Sequence, residues 1–176
     1  MHLNQTETKL QRLESLGLMI AELSAEVDTQ KLPVAILSAA LDLTGADSGS
    51  IYLSATADVL CCEAVQIKSL ALVSVADDLS GIMPVVPIPK ERSKIESPII
   101  KAFLDNCSAL IEDIDSPDYD LSVQKTFDSA YDYRTNLLLT IPISGLPEGV
   151  LGVLLLMNPQ SGFFSEQDQL LATNLA

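Results

Sequence analysis

The chain has 176 residues and a formal charge of -14, from 24 acidic against 10 basic side chains, so it repels the phosphate backbone of nucleic acid and an anionic membrane surface alike. Hydrophobic residues at 48% and charged residues at 19%, with a mean hydropathy of +0.30, are the balance of one domain with a single core rather than of a disordered tail. No stretch approaches the ~18 consecutive apolar residues of a membrane span, and "MHLNQTETKL" lacks the basic and apolar regions of an export signal, which points to the cytoplasm.

Along residues 5–27, Leu13, Leu16, Ile20, Leu23 and Val27 recur at spacings of three and four, the stripe of an amphipathic helix. The same five positions are a and d of consecutive heptads, so the stripe can serve a two-stranded dimer seam or pack on its own sheet. Residues 1–27 therefore read as a connector and dimerisation helix, and 28–176 as the folded domain. Asp28 or Thr29 can cap a second helix that has Pro33 in its first turn and stops at Gly45.

"SGSIYLS" and "DVLCCEAVQI", separated by "ATA", are rich in β-branched and aromatic residues and read as a hairpin. In residues 69–96, "VVPIP" holds one edge strand, because prolines 84, 87 and 89 cannot donate to a central ladder, and the rest reads as loop. Ser97 and Pro98 are an N-cap and first helical residue, which predicts a short helix through "IIKAFLD", and "SALIEDI" a short strand after it. "NLLLTIPI" and "GVLGVLLLMN", joined by "SGLPE", form a second hairpin; its latter strand is apolar on both faces, so the sheet is covered on both sides. Ser165 caps a final helix with Glu166 and Asp168 in its first turn, and that helix runs to Ala176 without a stop signal, which suggests that the natural chain continues.

Candidate chemistry is sparse. Cys61, Cys62 and Cys107 are an odd set with two adjacent members, which argues for reduced, buried thiols rather than disulfides. Adjacent residues on a strand point to opposite faces, so Cys61 and Cys62 do not converge on one reaction centre. A zinc site needs about four ligands, and His2 is the sole histidine. The acidic run "EDIDSPDYD" lacks the glycine of a calcium loop and reads as a solvated loop whose last Asp caps the next helix. No nucleophile paired with a base, metal cluster or phosphate loop is apparent, and the chain reads as non-catalytic.

Together, "LTGADSGSIYL", "FDSAYDYRTNLLLTIPI" and "GVLGVLLLMN" followed by "FFSEQD" resemble the GAF domain family over residues 13–176. The spacing through "PIPKERSKIESPIIKAFLDNCSALIEDI" is most similar to GAF modules N-terminal to bacterial HD-type phosphodiesterases, cyclases and related signalling enzymes. The resemblance implies an α/β (α+β) fold with a central antiparallel sheet of about six strands. Terminal helices lie on one face and short helices roof a small-molecule pocket on the other. It implies a sensory, regulatory module that relays a signal through its terminal helices to an output domain in the same parent chain, as a homodimer. The alternative is a ligand-free dimerisation and relay module.

Within that frame the expected ligand-binding residues are Tyr52, Ser97, Ile99, Ile114, Phe127 and Tyr131, with Tyr133, Arg134 and Thr135 at the following helix-to-strand junction. Phe127 and Tyr131, four apart, share one face of the roof helix, where either core packing or pocket lining accounts for them. Arg134 is expected to pair with Asp128 or Asp132, or to cap the helix before it. Helix starts near Ser97 and Ser122 attract anions, so a cyclic nucleotide or another small anionic or heteroaromatic molecule fits the pocket. Asn158, Phe164 and Asp168 match a motif of cyclic-nucleotide-binding members, but Pro159 and Gln169 replace its Lys and Glu. Neither Cys62 nor Cys107 is followed by the His typical of bilin attachment.

Overall fold

The computed structural model describes residues 31–145 and 149–176. The dimer seam at Leu13, Leu16, Ile20, Leu23 and Val27, the boundary at residue 27 and the Asp28 or Thr29 cap lie outside the described residues. Helix α1 (Leu32–Thr44) has Pro33 in its first turn and stops at Gly45, which turns left-handed at φ 68°. Lys31, not a capping side chain, precedes it. The chain then forms β1 (Ala46–Thr56), β2 (Val59–Ile67), β3 (Leu72–Val75), the single turn α2 (Ala76–Leu79) and β4 (Val86–Pro87). After these come α3 (Pro98–Asp105), β5 (Ala109–Ile111), α4 (Ser122–Tyr131), β6 (Leu138–Gly145), β7 (Gly149–Pro159) and α5 (Glu166–Leu175).

The strands build one antiparallel sheet in the order β3-β2-β1-β7-β6-β5, and β4 adds to the free stretch of β2 through Leu60 and Val59. The sheet has seven strands instead of about six, because both β3 and β4 pair with β2 where only one edge strand was expected. Residues 72–79 are likewise a strand and a helical turn, not loop. Alternation splits β7 cleanly: Leu154 and Leu156 face α1 and α5, whereas Val153, Leu155 and Met157 face the roof. The centre of the sheet is tight, since a Cβ on Gly152 would lie 2.1 Å from the Tyr52 carbonyl oxygen of the adjacent strand.

On the first face, Leu37, Ala40 and Leu41 of α1 and Ala172 of α5 pack over Ile51, Ile141, Leu154 and Leu156. Removing each large aliphatic side chain from water contributes about 1.5–3 kcal/mol, which secures α1 although its own amphipathicity is weak. A capping box between Ser165 and Asp168 starts α5. On the second face, α3 and α4 lie over Tyr52, Cys62, Leu138, Val153 and Leu155. Ser97 accepts the Ile100 N–H to cap α3, which ends in left-handed Asn106. Among the described residues no helix is long and apolar enough to cross a membrane.

Candidate functional site

Beneath α4 the roof is filled by its own aromatic side chains. The rings of Phe127 and Tyr131 lie 5.2 Å apart at 57°, and Tyr133 meets Phe127 edge-on at 5.8 Å and 85°. Phe127 and Tyr52 are buried, and all four side chains belong to, or pack against, the roof-side core. Among the described residues the buried hydroxyls of Tyr52 and Tyr131 make no well-formed hydrogen bond, with Cys62 and Ser74 as their polar neighbours. Burial, reinforced by the neighbouring Cys62, pushes the Tyr52 phenol far above its ordinary value. Burial also pushes the Cys62 thiol up to about 12, so it is a protonated packing group at neutral pH. Of the three cysteines only Cys62 is buried; Cys61 is partly buried and Cys107 is exposed, contrary to three buried thiols. Cys107 follows the end of α3, where chain turning brings the backbone to the surface.

The junction between α4 and β6 is held by side-chain hydrogen bonds. Asp128 accepts the Thr135 N–H at 2.9 Å and the Thr135 hydroxyl at 2.7 Å, while the buried Gln124 amide donates to the Thr135 hydroxyl at 2.7 Å. Asp132 takes the left-handed conformation at φ 48° that ends α4. Tyr133 then donates to Asp47 at 2.9 Å, and Asp47 also accepts the Ser69 N–H and hydroxyl. Asn158, left-handed at φ 50°, donates to the Tyr133 hydroxyl and the Arg134 carbonyl and accepts the N–H groups of Asn136 and Leu137. One polar latch thus ties α4 to β1, β7 and the β2–β3 turn. Burial, with Asp47 adding to it, pushes the Tyr133 phenol up to about 12.

The Arg134 side chain is exposed and forms neither expected ion pair; its backbone carbonyl makes the bond to Asn158. Asp128 is taken by Thr135, a neutral partner that reaches it across the turn with two donors.

The opposite end of the roof is open. A groove of about 470 Å³ lies between residues 84–97 and the first turns of α3 and α4. Its lining is mostly apolar, with Pro84, Val85, Pro87, Pro89, Ile95, Ile100 and Val123 beside four serine and threonine residues. Val85 and Ile95 are more than half exposed there, at 55% and 53%. The prolines fix the backbone, and β4 ties it to β2, so this wall is ordered before any ligand arrives. A backbone bond from Asp120 N–H to the Glu96 carbonyl, 3.1 Å, joins the leads into α3 and α4.

The charges on the groove are carboxylates, Glu96 and Asp120. Arg92 grips Glu96 through two nitrogens and also binds Asp105, which Lys101 contacts at 2.9 Å. Arg92 holds the Glu96 carboxyl below its usual range and, ahead of Lys101, lowers Asp105 to about 2. Among the described residues Asp120 accepts the Ser122 N–H at 3.0 Å as a local turn bond; α4 itself is preceded by Leu121 and has no side-chain cap, contrary to the aspartate cap expected. At the helix starts near Ser97 and Ser122 one N–H each, of Ile100 and of Ser122, is already taken by a serine and an aspartate of the chain itself.

Of the residues expected from the sequence to bind ligand, Ser97 lines this groove, and Ser97 and Ile99 line a narrow cleft of about 10 Å³ beneath it. Ile114, Arg134 and Thr135 line a separate cavity of about 200 Å³ beyond α4, whereas Tyr52, Phe127, Tyr131 and Tyr133 form the packed interior. Sequence reasoning missed Val85, Val86, Glu96, Asp120 and Val123. A signal was present, since three prolines within residues 84–89 flank two valines, of which Val86 is buried and Val85 is left exposed.

No protein-family model matches the chain, and no curated protein matches it. Solved structures do. The GAF domain of a phosphoenolpyruvate-protein phosphotransferase (ptsP) from Coxiella burnetii superposes with a TM-score of 0.70 at 16% identity, over 95% of this chain and 89% of that one. Free methionine-R-sulfoxide reductase from Neisseria meningitidis gives 0.65 at 16% identity, over 96% and 85%. The chromophore-binding domain of a Stigmatella aurantiaca bacteriophytochrome gives 0.61 at 16% identity, over 95% of this chain and 58% of that one. The chain has a GAF-like fold.

Proposed function

We propose that this chain is a sensory, regulatory module that receives a small molecule in the roof groove and relays its presence through the terminal helices to an output domain of a parent chain. The observation that carries the reading is the division of labour between the two faces of the sheet. The groove of about 470 Å³ has the size of a small-molecule site and opens on the roof face. Helices α1 and α5, which lead toward the two ends of the chain, pack together on the other face. A ligand that closes α3 and α4 onto the groove moves strands that those helices rest on. The GAF domains among the similar structures, one from a phosphotransferase and one from the A. aeolicus protein nlh2, support a regulatory part in a larger protein.

In this reading the module is not itself an enzyme, has neither nucleic acid nor membrane as partner, and works in the cytoplasm as a homodimer through residues 13–27. Its output domain is that of a signalling enzyme, such as an HD-type phosphodiesterase, a cyclase or a kinase. The protonated state of Cys62 supports a packing role over thiolate chemistry. Cyclic nucleotides are the first ligands to test, in a thermal-shift panel with common metabolites. Saturating binding raises stability by about 2.7 kcal/mol at a hundredfold excess over Kd. A panel without any shift would favour the second reading, a ligand-free relay module, which the filled interior beneath α4 supports.

A further inference from the structure

We infer that the ligand of the roof groove is a small organic cation, an ammonium or guanidinium group on an apolar skeleton, and that Asp120 is the group that selects it. The inference rests on the groove being a ligand site and names the class of molecule it takes. Three observations lead there. Pro84, Val85, Pro87, Ile95, Ile100 and Val123 offer a contact surface for an apolar body, and the four serine and threonine residues that share the lining are uncharged. Among the described residues no Lys, Arg or His lines the groove, so an entering phosphate or carboxylate finds no counter-charge there.

The two carboxylates that do line it differ in a way that leaves one available. Glu96 is matched by Arg92, whose guanidinium occupies both of its oxygens. Asp120 is matched by no cation among the described residues, and its one bond, from Ser122 N–H, employs Oδ1. Asp120 is exposed and lines this largely apolar groove in a chain of net charge -14, where the surrounding field draws cations and turns anions away. The hydroxyl of Ser122, on the same side, adds an acceptor for a second ammonium hydrogen. This arrangement runs against the expectation from helix starts alone: one N–H at each start is taken, by Ser97 in α3 and by Asp120 in α4, and the charged groups on the groove are both carboxylates.

The test uses four probes of graded charge: hexylammonium, hexanol, hexanoate and cyclic GMP. Each is titrated into the full chain while the methyl signals of Val85, Val86 and Val123 are followed by NMR. Hexylammonium is expected to shift those methyls with a Kd about tenfold or more below that of hexanol, and hexanoate to leave them unmoved. Its affinity falls as ionic strength rises. Asp120→Asn keeps an acceptor for the Ser122 N–H but removes the charge, and the remaining methyl signals report whether the fold is intact. This variant should bind hexylammonium and hexanol equally. Tighter binding of hexanoate or cyclic GMP at the same methyls would overturn the cation while leaving the groove as a ligand site. An ammonium preference that survives Asp120→Asn would overturn the role of Asp120. Silence at these methyls toward all four probes would overturn the inference, and a silent metabolite panel as well would take the ligand-site reading with it.

Discussion

The two ends of the roof lie on the same face of the same sheet and are built on opposite plans. At the α4–β6 end, Phe127, Tyr131 and Tyr133 fill the space over Tyr52, and Asp128, Thr135, Gln124 and Asn158 bond the backbone in place. At the other end, prolines and a salt-bridged loop hold apolar side chains out toward solvent around a groove. The difference teaches where this domain can give. Closing side-chain bonds on one end lets the other keep exposed apolar surface without the roof sliding, and a ligand covers what folding leaves uncovered.

The sharpest way to break this contrast is Phe127→Ala. It removes the ring that both tyrosines pack on, and the loss is expected to be about 3–5 kcal/mol in denaturant unfolding. A cost comparable to that of a surface substitution would mean that the aromatic end is not a core. Next is Asp128→Ala, which strands the Thr135 N–H and hydroxyl together and should cost about 1–3 kcal/mol. For a domain of this size each kcal/mol lowers Tm by about 2–4 °C, so both variants are readable by calorimetry. In the groove, Val85→Ser and Ile95→Ser should change stability by no more than about 0.5 kcal/mol, since each side chain is already more than half exposed. A larger loss at either position would show that the groove wall is part of the core and not a surface held open.

Two chemical probes sharpen the comparison with smaller effects. Alkylation at mildly alkaline pH, followed by mass spectrometry, should modify exposed Cys107 first and Cys62 last, because burial protects that thiol and holds it protonated up to about 12. Modification of Cys62 at the rate of Cys107 would contradict a closed interior. Acid acts on the groove end instead. The folded state lowers Asp105 from 3.8 to about 2, so its contribution is present above pH 4 and is lost as pH falls toward 2. Hydrogen exchange in residues 92–96 should accelerate across that window while the α4–β6 junction stays protected. The stability change itself is small, because the ion pairs are solvent-exposed.

The parts that were legible in the sequence are those decided within one turn of chain. Ser97 with Pro98, Ser165 with Asp168, and Gly45 set helix ends through bonds or dihedrals that involve only near neighbours. The doubly apolar β7 likewise announced a sheet covered on both faces, and the four-residue spacing of Phe127 and Tyr131 placed both on the sheet side of α4. Residues 72–79 escaped because "LVSV" is too short and too alternating to stand out, and it becomes a strand by pairing with β2.

Only the tertiary structure decided which partner each polar group takes and where space is left. Arg134 had two acids close in sequence, yet Asp128 bonds Thr135 and Asn158 reaches back from β7 to the Arg134 carbonyl. Ser97 and Ser122 carried the usual signs of helix starts, but only the fold brought the two starts together, through the bond from Asp120 N–H to the Glu96 carbonyl, beside the residues of 84–89. Periodicity and capping are local and survive in a linear reading. A groove is bounded by segments some twenty residues apart, from Pro84 to Ile100 and from Asp120 to Thr126, and its charge is the sum of pairings that exist only once the chain has folded.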